Sequence, residues 1–306
     1  MPSRPLIALA ALTGLPLALA WVVSEQVMHP RRRIEDNDLE AMPLPAEDIQ
    51  FTSRDGTLLS GWFISPANAE VAAPGIVLSH GWARSRCELL PHAQFLHRAG
   101  FAVLMFDYRH RGLSAGDSIT MGVHERGDLL AAIDTMAARP EVDAARIGVL
   151  GMSLGGVITI VVGAQDQRVR AIVAECPFAS HDTILTRSLR HYAKFPLSWN
   201  APIVRWVLER RFGAPLSEVE PIGFVGGFAS RPLFIIGDEN DEIVGVEDSR
   251  RLFDAAGEPK RWWQIPNADH ARGWQFAGDE YERRVVEFFR ETLAAEPTLA
   301  AQTVSS

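Results

Sequence analysis

A serine stands between paired glycines in "GMSLGG", residues 151–156, with apolar runs on both sides: "RIGVL" before it and "VITIVVGA" after it. A strand entering and a helix leaving would put Ser153 at the tip of a sharp, strained turn, its hydroxyl projecting clear of a sheet. Gly151 and Gly155, two residues before and two after, keep neighbouring side chains away from that tip. The N-terminus of the following helix would offer its N–H groups and positive dipole end to an oxyanion forming there. A serine hydroxyl is a weak nucleophile at neutral pH, so this chemistry requires a base, and the base requires an orienting group. Of the nine histidines, His270 in "RWWQIPNADHARGW" follows the last strand-like run and precedes the last helical one, where a base that comes last in chain order belongs. His80, His92, His97, His110 and His124 precede the serine, His181 and His191 lead into a later insertion, and His29 adjoins an N-terminal apolar run; each reads as an ordinary surface histidine.

The orienting acid is sought in "FIIGDENDEIVG", where Asp238, Glu239, Asp241 and Glu242 crowd around Asn240 just after an apolar run. A calcium loop would follow D-x-[DN]-x-[DN]-G, and Ile243 occupies the place of its required glycine. The cluster therefore reads as one working carboxylate among solvated neighbours, with the choice open at this level. Two N–H donors are needed for the oxyanion. The backbone of Leu154, next after the serine, is one. The other is assigned to Trp82 in the loop that continues "PGIVLSH" as "GWARSR", where Gly81 lets the chain pass close to a substrate. No spacing suits zinc and no phosphate-binding glycine loop is visible, so neither metal nor cofactor is implied. Cys87 and Cys176 read as small core residues.

The elements that must hold these residues alternate along the chain. "DIQFTSRDGTLLSGWFIS" is a hairpin turning at Asp55-Gly56. Strands follow at "PGIVLSH", "FAVLMFDY", "RIGVLG", "VRAIVAECPF", "PLFIIGD" and "RWWQIPN", separated by helices at 85–99, 123–138, in "LGGVITIVVGA", at 247–257 and at 275–293. This predicts an α/β class: a mostly parallel central sheet with helices on both faces and an N-terminal hairpin. Residues 183–229 interrupt the alternation with a basic, aromatic, proline-broken stretch, read as a helical cap inserted at the carboxyl ends of the strands. Its Arg187, Arg190, Lys194, Arg205, Arg210 and Arg211 read first as a solvated face, and otherwise as a surface for an anionic substrate or lipid headgroups.

The divisions are then residues 1–30 as an N-terminal segment, 31–46 as a linker, 47–182 and 230–293 as the two parts of the core around the 183–229 cap, and 294–306 as a flexible tail. Residues 5–23 carry no charge, about the length that crosses a bilayer as a helix. They read as a single-pass anchor contacting the lipid bilayer, or as a signal cleaved near Ala20 after Ala18-Leu19-Ala20, with the side of the membrane open. The 306-residue chain, 47% apolar with net charge −8, has material for a large core and no electrostatic footprint for nucleic acid.

The ordered set "SHGW", "FDYRHRGLSAGD", "GMSLGG", "GDENDEIV" and "ADH" resembles the α/β-hydrolase superfamily, and within it a membrane-anchored bacterial branch similar to serine aminopeptidases and acyl-peptidase-like hydrolases. The resemblance implies an α/β-hydrolase fold and a Ser153–His270–acid triad. Its acid motif aligns with "DEIV" and selects Asp241, with one extra residue after Gly237; Asp238 is the alternative. In such proteins Asp107, Arg109, Arg111 and Gly112 would brace the site, while Glu125 and Asp128 read as acids favoring a helix start. The implied reaction is hydrolysis of carboxylic esters through an acyl-enzyme, on a small-molecule ester, acyl or peptide substrate. The alternatives are an amide-cleaving aminopeptidase, an acyltransferase or thioesterase on the same residues, or a non-catalytic membrane-anchored binding module.

Overall fold

The computed structural model describes residues 4–32, 44–67, 72–192 and 197–294. Helix α1 spans Arg4–Met28, then β1 (Ala46–Thr52), β2 (Leu58–Ile64) and β3 (Ala73–Ser79) lead to α2 (Leu90–Arg98) and β4 (Ala102–Phe106). Next come α3 (Glu125–Ala137), β5 (Val142–Met152), α4 (Leu154–Gln165) and β6 (Val169–Glu175). The cap follows as α5 (His181–Tyr192), α6 (Ala201–Phe212), α7 (Pro221–Phe224) and short 3-10 turns. The core closes with β7 (Leu233–Asp238), α8 (Val246–Ala255), β8 (Lys260–Ile265), α9 (Gly273–Ala277) and α10 (Asp279–Thr292).

The eight strands form one sheet in the order β1-β2-β4-β3-β5-β6-β7-β8. β1 and β2 are antiparallel to their neighbors and the other six strands are parallel to one another. Parallel strands covered on both faces need apolar side chains on both faces, and β3 illustrates this: Ile76 and Leu78 enter one core, Val77 the other. α2 and α10 cover one face; α3, α4 and α8 cover the opposite one. In α10 the buried residues Tyr281, Val285, Phe288 and Phe289 recur at helical spacing, which fixes the face it presents. The helix expected over 275–293 is divided at Gly278, whose φ of 49° lies outside the helical region.

The start of β1 at Ala46 takes the end of the expected linker; residues 33–43 of that linker, Lys194 of the cap and residues 295–306 of the tail lie outside the described residues. Among the described residues no helix is long and apolar enough to cross a membrane. The later half of α1 is bound to protein instead. Ala20, Ser24 and Met28, spaced by four, form its buried stripe. Asn200 Nδ2 donates to the carbonyl of Pro16 (3.1 Å), Arg211 reaches Ser24 Oγ (2.7 Å) and Glu25 (2.7 Å), and the amide of Ile119 donates to Met28 O (2.9 Å).

Candidate active site

β3, β5, β6 and β7 all end at the same edge of the sheet, and the predicted site residues gather there. Ser153 sits between β5 and α4 with φ 54° and ψ −120°, a strained conformation for a residue with a side chain. Its amide donates to Glu175 O at 2.8 Å, which ties the turn to β6. The two glycines are compulsory by close approach. A Cβ on Gly151 would lie 2.4 Å from Gly155 O, and one on Gly155 would lie 2.1 Å from Ser79 O and 2.5 Å from His80 O.

His270 follows β8, and its two ring nitrogens are both engaged. Nε2 lies 2.9 Å from Ser153 Oγ and Nδ1 lies 2.7 Å from Asp241 Oδ2. The arrangement fits the tautomer in which Nδ1–H donates to the carboxylate and Nε2 accepts from the serine hydroxyl. The other oxygen of Asp241, Oδ1, accepts the backbone amides of Ile243 (2.9 Å) and Val244 (2.8 Å). Burial opposes the charge on Asp241, but the hydrogen bond and charge of His270 and these two amides outweigh it and hold the carboxyl below its ordinary range. Its side chain is 1% exposed and that of His270 is 15% exposed, so the carboxylate is shielded while the imidazole remains reachable.

Asp238, the alternative acid, points elsewhere. It is fully buried at the end of β7, and its Oδ2 accepts the amide of Arg272 (3.2 Å) and the thiol of Cys176 (3.0 Å). Beside it lies Glu175, also fully buried, which accepts the amide of Gly273 (3.0 Å) and the hydroxyl of Tyr281. Burial, with the charge of Asp241 adding to it, raises Asp238 to about 6; burial and then the charge of Asp238 raise Glu175 to about 8. Cys176 is buried, and burial pushes its thiol up as well.

The loop after β3 runs alongside the serine: a Cβ on Gly81 would come within 3.6 Å of Ser153 Cβ. Each residue of "SHGW" has a traceable task. Ser79 Oγ donates to Gly155 O (3.0 Å), binding β3 to the first turn of α4. His80 donates from Nδ1 to Gly81 O (2.7 Å) and accepts the Tyr108 amide at Nε2 (3.1 Å); burial keeps it neutral by lowering it to about 4. Gly81 donates its amide to Glu88 (2.8 Å). The indole of Trp82 donates to Val27 O in α1 (2.9 Å), so the N-terminal helix holds this loop directly. Leu154 is the first residue of α4, among the positions whose amides have no partner within the helix.

Behind this loop Asp107 accepts the amides of Arg86 (2.8 Å) and Leu113 (3.0 Å), and a Cβ on Gly112 would strike its carboxylate. Arg109 forms a bidentate pair with Asp128 and also reaches Asp55. Arg111 donates to Pro30 O at 2.5 Å. The dipole reading of the two acids at the start of α3 gives way to specific bonds: Asp128 holds Arg109, and Glu125 binds Thr120 and the amide of Gly122. In the cap, Arg187 pairs with Glu247, Arg205 with Asp182, Glu209 and Glu220, and Arg211 with Glu25, so these charges are engaged. Arg190 and Arg210 are exposed.

Cys87 and Cys176 form no disulfide. Two groupings among the described residues, Cys176–Asp241–His270 and Glu175–Cys176–Asp238, bring ligand-type atoms within 4.8 Å of one another. In the first, His270 and Asp241 are already bonded to each other and to Ser153 and the backbone. Glu175, Glu88 and Ser79 are the contributors that sequence reasoning passed over, and His80, read as a surface histidine, is buried, as are His92 and His181. The sequence marks Glu175 only as a lone glutamate closing the apolar run "VRAIVAE", which does not show what it faces.

The chain matches the model of the prolyl oligopeptidase family over residues 89–296. It is similar to the uncharacterized protein YfhR of Escherichia coli K12, 31% identical over 258 residues that cover 82% of this chain and 83% of that protein. Among solved structures it resembles the Pyrococcus furiosus esterase Pf2001, with a TM-score of 0.71 and 25% identity over 86% of this chain and 99% of the esterase. A Mycobacterium tuberculosis puromycin-hydrolyzing peptidase shares the fold, with a TM-score of 0.64 at 17% identity, over 83% of this chain and 40% of that one.

Proposed function

The chain belongs to the prolyl oligopeptidase family and is an α/β-hydrolase enzyme, and from that premise we propose that it cleaves carboxylic esters through an acyl-enzyme on Ser153. The observation that carries the reading is the unbroken hydrogen-bond line from Asp241 through His270 to Ser153. His270 Nε2 takes the hydroxyl proton as Ser153 Oγ bonds to the substrate carbonyl carbon. The carbonyl oxygen becomes an anion facing the amides of Leu154 and Trp82. The imidazolium then gives its proton to the leaving alcohol as the tetrahedral intermediate collapses to the acyl-enzyme. Water, deprotonated by the same nitrogen, repeats the cycle and releases the acid. Asp241 stays ionized throughout and stabilises the imidazolium.

Esters are favored over amides by the likeness to the esterase and by the pairing of Arg187, Arg205 and Arg211 with acids, which removes them as anchors for a peptide carboxylate. The family's name favors the second reading, an amide substrate. A comparison of p-nitrophenyl esters with aminoacyl-anilides separates them: turnover of esters well above anilides supports the first, and the reverse order replaces it with the second.

The location is a further part of this proposal: the enzyme associates with a lipid bilayer through α1 and the cap. Leu15, Leu17, Trp21 and Val22 of α1 and Trp199 and Trp206 of the cap are exposed. Arg211 stacks over Trp21 and Arg210 over Trp206, the pairing of aromatic and basic groups that suits a headgroup region. From Pro16 onward one side of α1 is bonded to the cap while these apolar residues face out, which supports a helix lying on the surface over one that spans it. Co-sedimentation with anionic phospholipid vesicles tests this: wild type should pellet and a Trp199→Ser, Trp206→Ser variant should remain in solution. Wild type left in the supernatant contradicts it.

A further inference from the structure

Directly behind the triad, Glu175 and Asp238 end adjacent parallel strands with both side chains fully buried. Between them and the triad runs the turn after β8 that carries His270. That turn is fastened to the pair by two consecutive amides, Arg272 N to Asp238 and Gly273 N to Glu175. Gly273 itself sits close to the pair: a Cβ there would lie 2.5 Å from Ile265 Cδ1, 2.9 Å from Glu175 Oε1 and 3.1 Å from Asp238 Oδ1. The same figures place one oxygen of each acid over the same α-carbon. Asp238 Oδ1 is buried with no hydrogen-bond partner among the described residues, although it is a carboxylate oxygen facing a second carboxyl group. Two full negative charges so close in an apolar interior repel each other and lack solvation, and one retained proton relieves both costs.

We propose that Glu175 and Asp238 work as a singly protonated carboxyl pair that positions the His270 turn, and that ionization of the pair releases His270 from its alignment with Ser153 and Asp241. The inference rests on the serine-hydrolase reading for its effect on rate, but the clamp itself is independent of turnover. The groups facing the pair are Cys176 just after β6, Tyr281 on α10, Asp241 and His270 on the catalytic loops, and Glu88 beyond Gly81. Among them His270 alone, and only when protonated, offsets a second negative charge; the others are acidic or neutral, and Tyr281 is itself braced by His92 at 3.3 Å. Glu175 and Asp238 are positioning residues, since neither touches the reacting atoms. One pair thus couples the ends of β6 and β7 to the base of the triad.

The test is the downfield proton resonance of the His270–Asp241 hydrogen bond followed with pH, beside ester kcat. In wild type both should fall together on the alkaline side, around pH 8. Asp238→Asn keeps an acceptor for Arg272 and donates its amide to Glu175, and Glu175→Gln keeps an acceptor for Gly273. In either variant the alkaline loss should disappear, with kcat at pH 7 within about fivefold of wild type. A merely structural role would lower kcat evenly and leave the pH profile unmoved, and that outcome overturns the proposal. If the variants fail to fold, wild type alone decides: a protonated-carboxyl infrared band must be present at pH 7 and vanish in step with the resonance, and its absence overturns the pair. A resonance that behaves as expected in a protein without ester or amide turnover supports the clamp and sinks the hydrolase reading instead.

Discussion

Replacing Asp241 by Asn tests the choice among the acids and can be worked through bond by bond. In the native turn Oδ2 accepts from His270 Nδ1, and Oδ1 accepts from the amides of Ile243 and Val244. An asparagine must point its oxygen one way or the other. With the oxygen toward the two amides, its NH₂ faces His270 Nδ1, forces the proton onto Nε2, and leaves no lone pair to accept the proton of Ser153. With the oxygen toward His270, the NH₂ confronts two backbone N–H groups, each buried and unpaired at a cost of about 1–3 kcal/mol. The productive arrangement is therefore disfavored by roughly 2–6 kcal/mol, and at 1.36 kcal/mol per decade the expected loss in kcat is on the order of 30- to 10⁴-fold. The matching change at Asp238 should cost less than about fivefold at pH 7, because Asn keeps the acceptor for the Arg272 amide and leaves the His270–Asp241 bond in place. The assay is ester turnover at saturating substrate, with circular dichroism to confirm that both variants are folded. Asp241→Asn within tenfold of wild type, or a collapse on Asp238→Asn alone, would refute the assignment.

Three other perturbations have definite expectations. Gly155→Ala drives a Cβ into Ser79 O and His80 O, backbone atoms that cannot swing aside, so thermal unfolding should reveal a loss of about 3 kcal/mol or more; a variant as stable as wild type contradicts the close approach. Trp82→Phe removes the indole bond to Val27 O and should loosen α1 by about 0.5–1.5 kcal/mol, seen as faster limited proteolysis after Ala20 together with reduced kcat; unchanged cleavage and rate would separate α1 from the site. Asp241 is held below its unfolded value, so its contribution to stability is present above the ordinary carboxylate range and is lost as pH falls through its lower folded value. An Asp241→Asn variant should therefore show a shallower loss of stability below pH 4 than wild type, and equal slopes would contradict the paired carboxylate.

The fold was legible because its parallel strands are buried on both faces and therefore appear as unbroken apolar runs, as in "PGIVLS" and "LFIIGD". The serine turn was legible because its glycines answer a steric demand that no other residue meets. The acid was harder. Asp238 and Asp241 both follow β7 within one turn, and what separates them is which direction the turn aims each carboxylate, set by the Asp241 amide bond to Asp238 O and by the Ile243 and Val244 amides. Glu175 escaped notice because one glutamate at the end of a strand gives no sign in sequence that it faces another acid from a neighboring strand. The partners of the N-terminal run were hidden for a related reason: nothing in sequence shows that Ser24 and Glu25 are the groups that Arg211 grips.

The account depends most on Ser153 being an activated nucleophile. Incubation with a fluorophosphonate probe, followed by peptide mapping, measures this directly. Wild type should carry one adduct, on Ser153, and Ser153→Ala and His270→Ala should carry none at the same exposure. A folded wild type that remains unlabeled, or an adduct on any other residue, would contradict the mechanism.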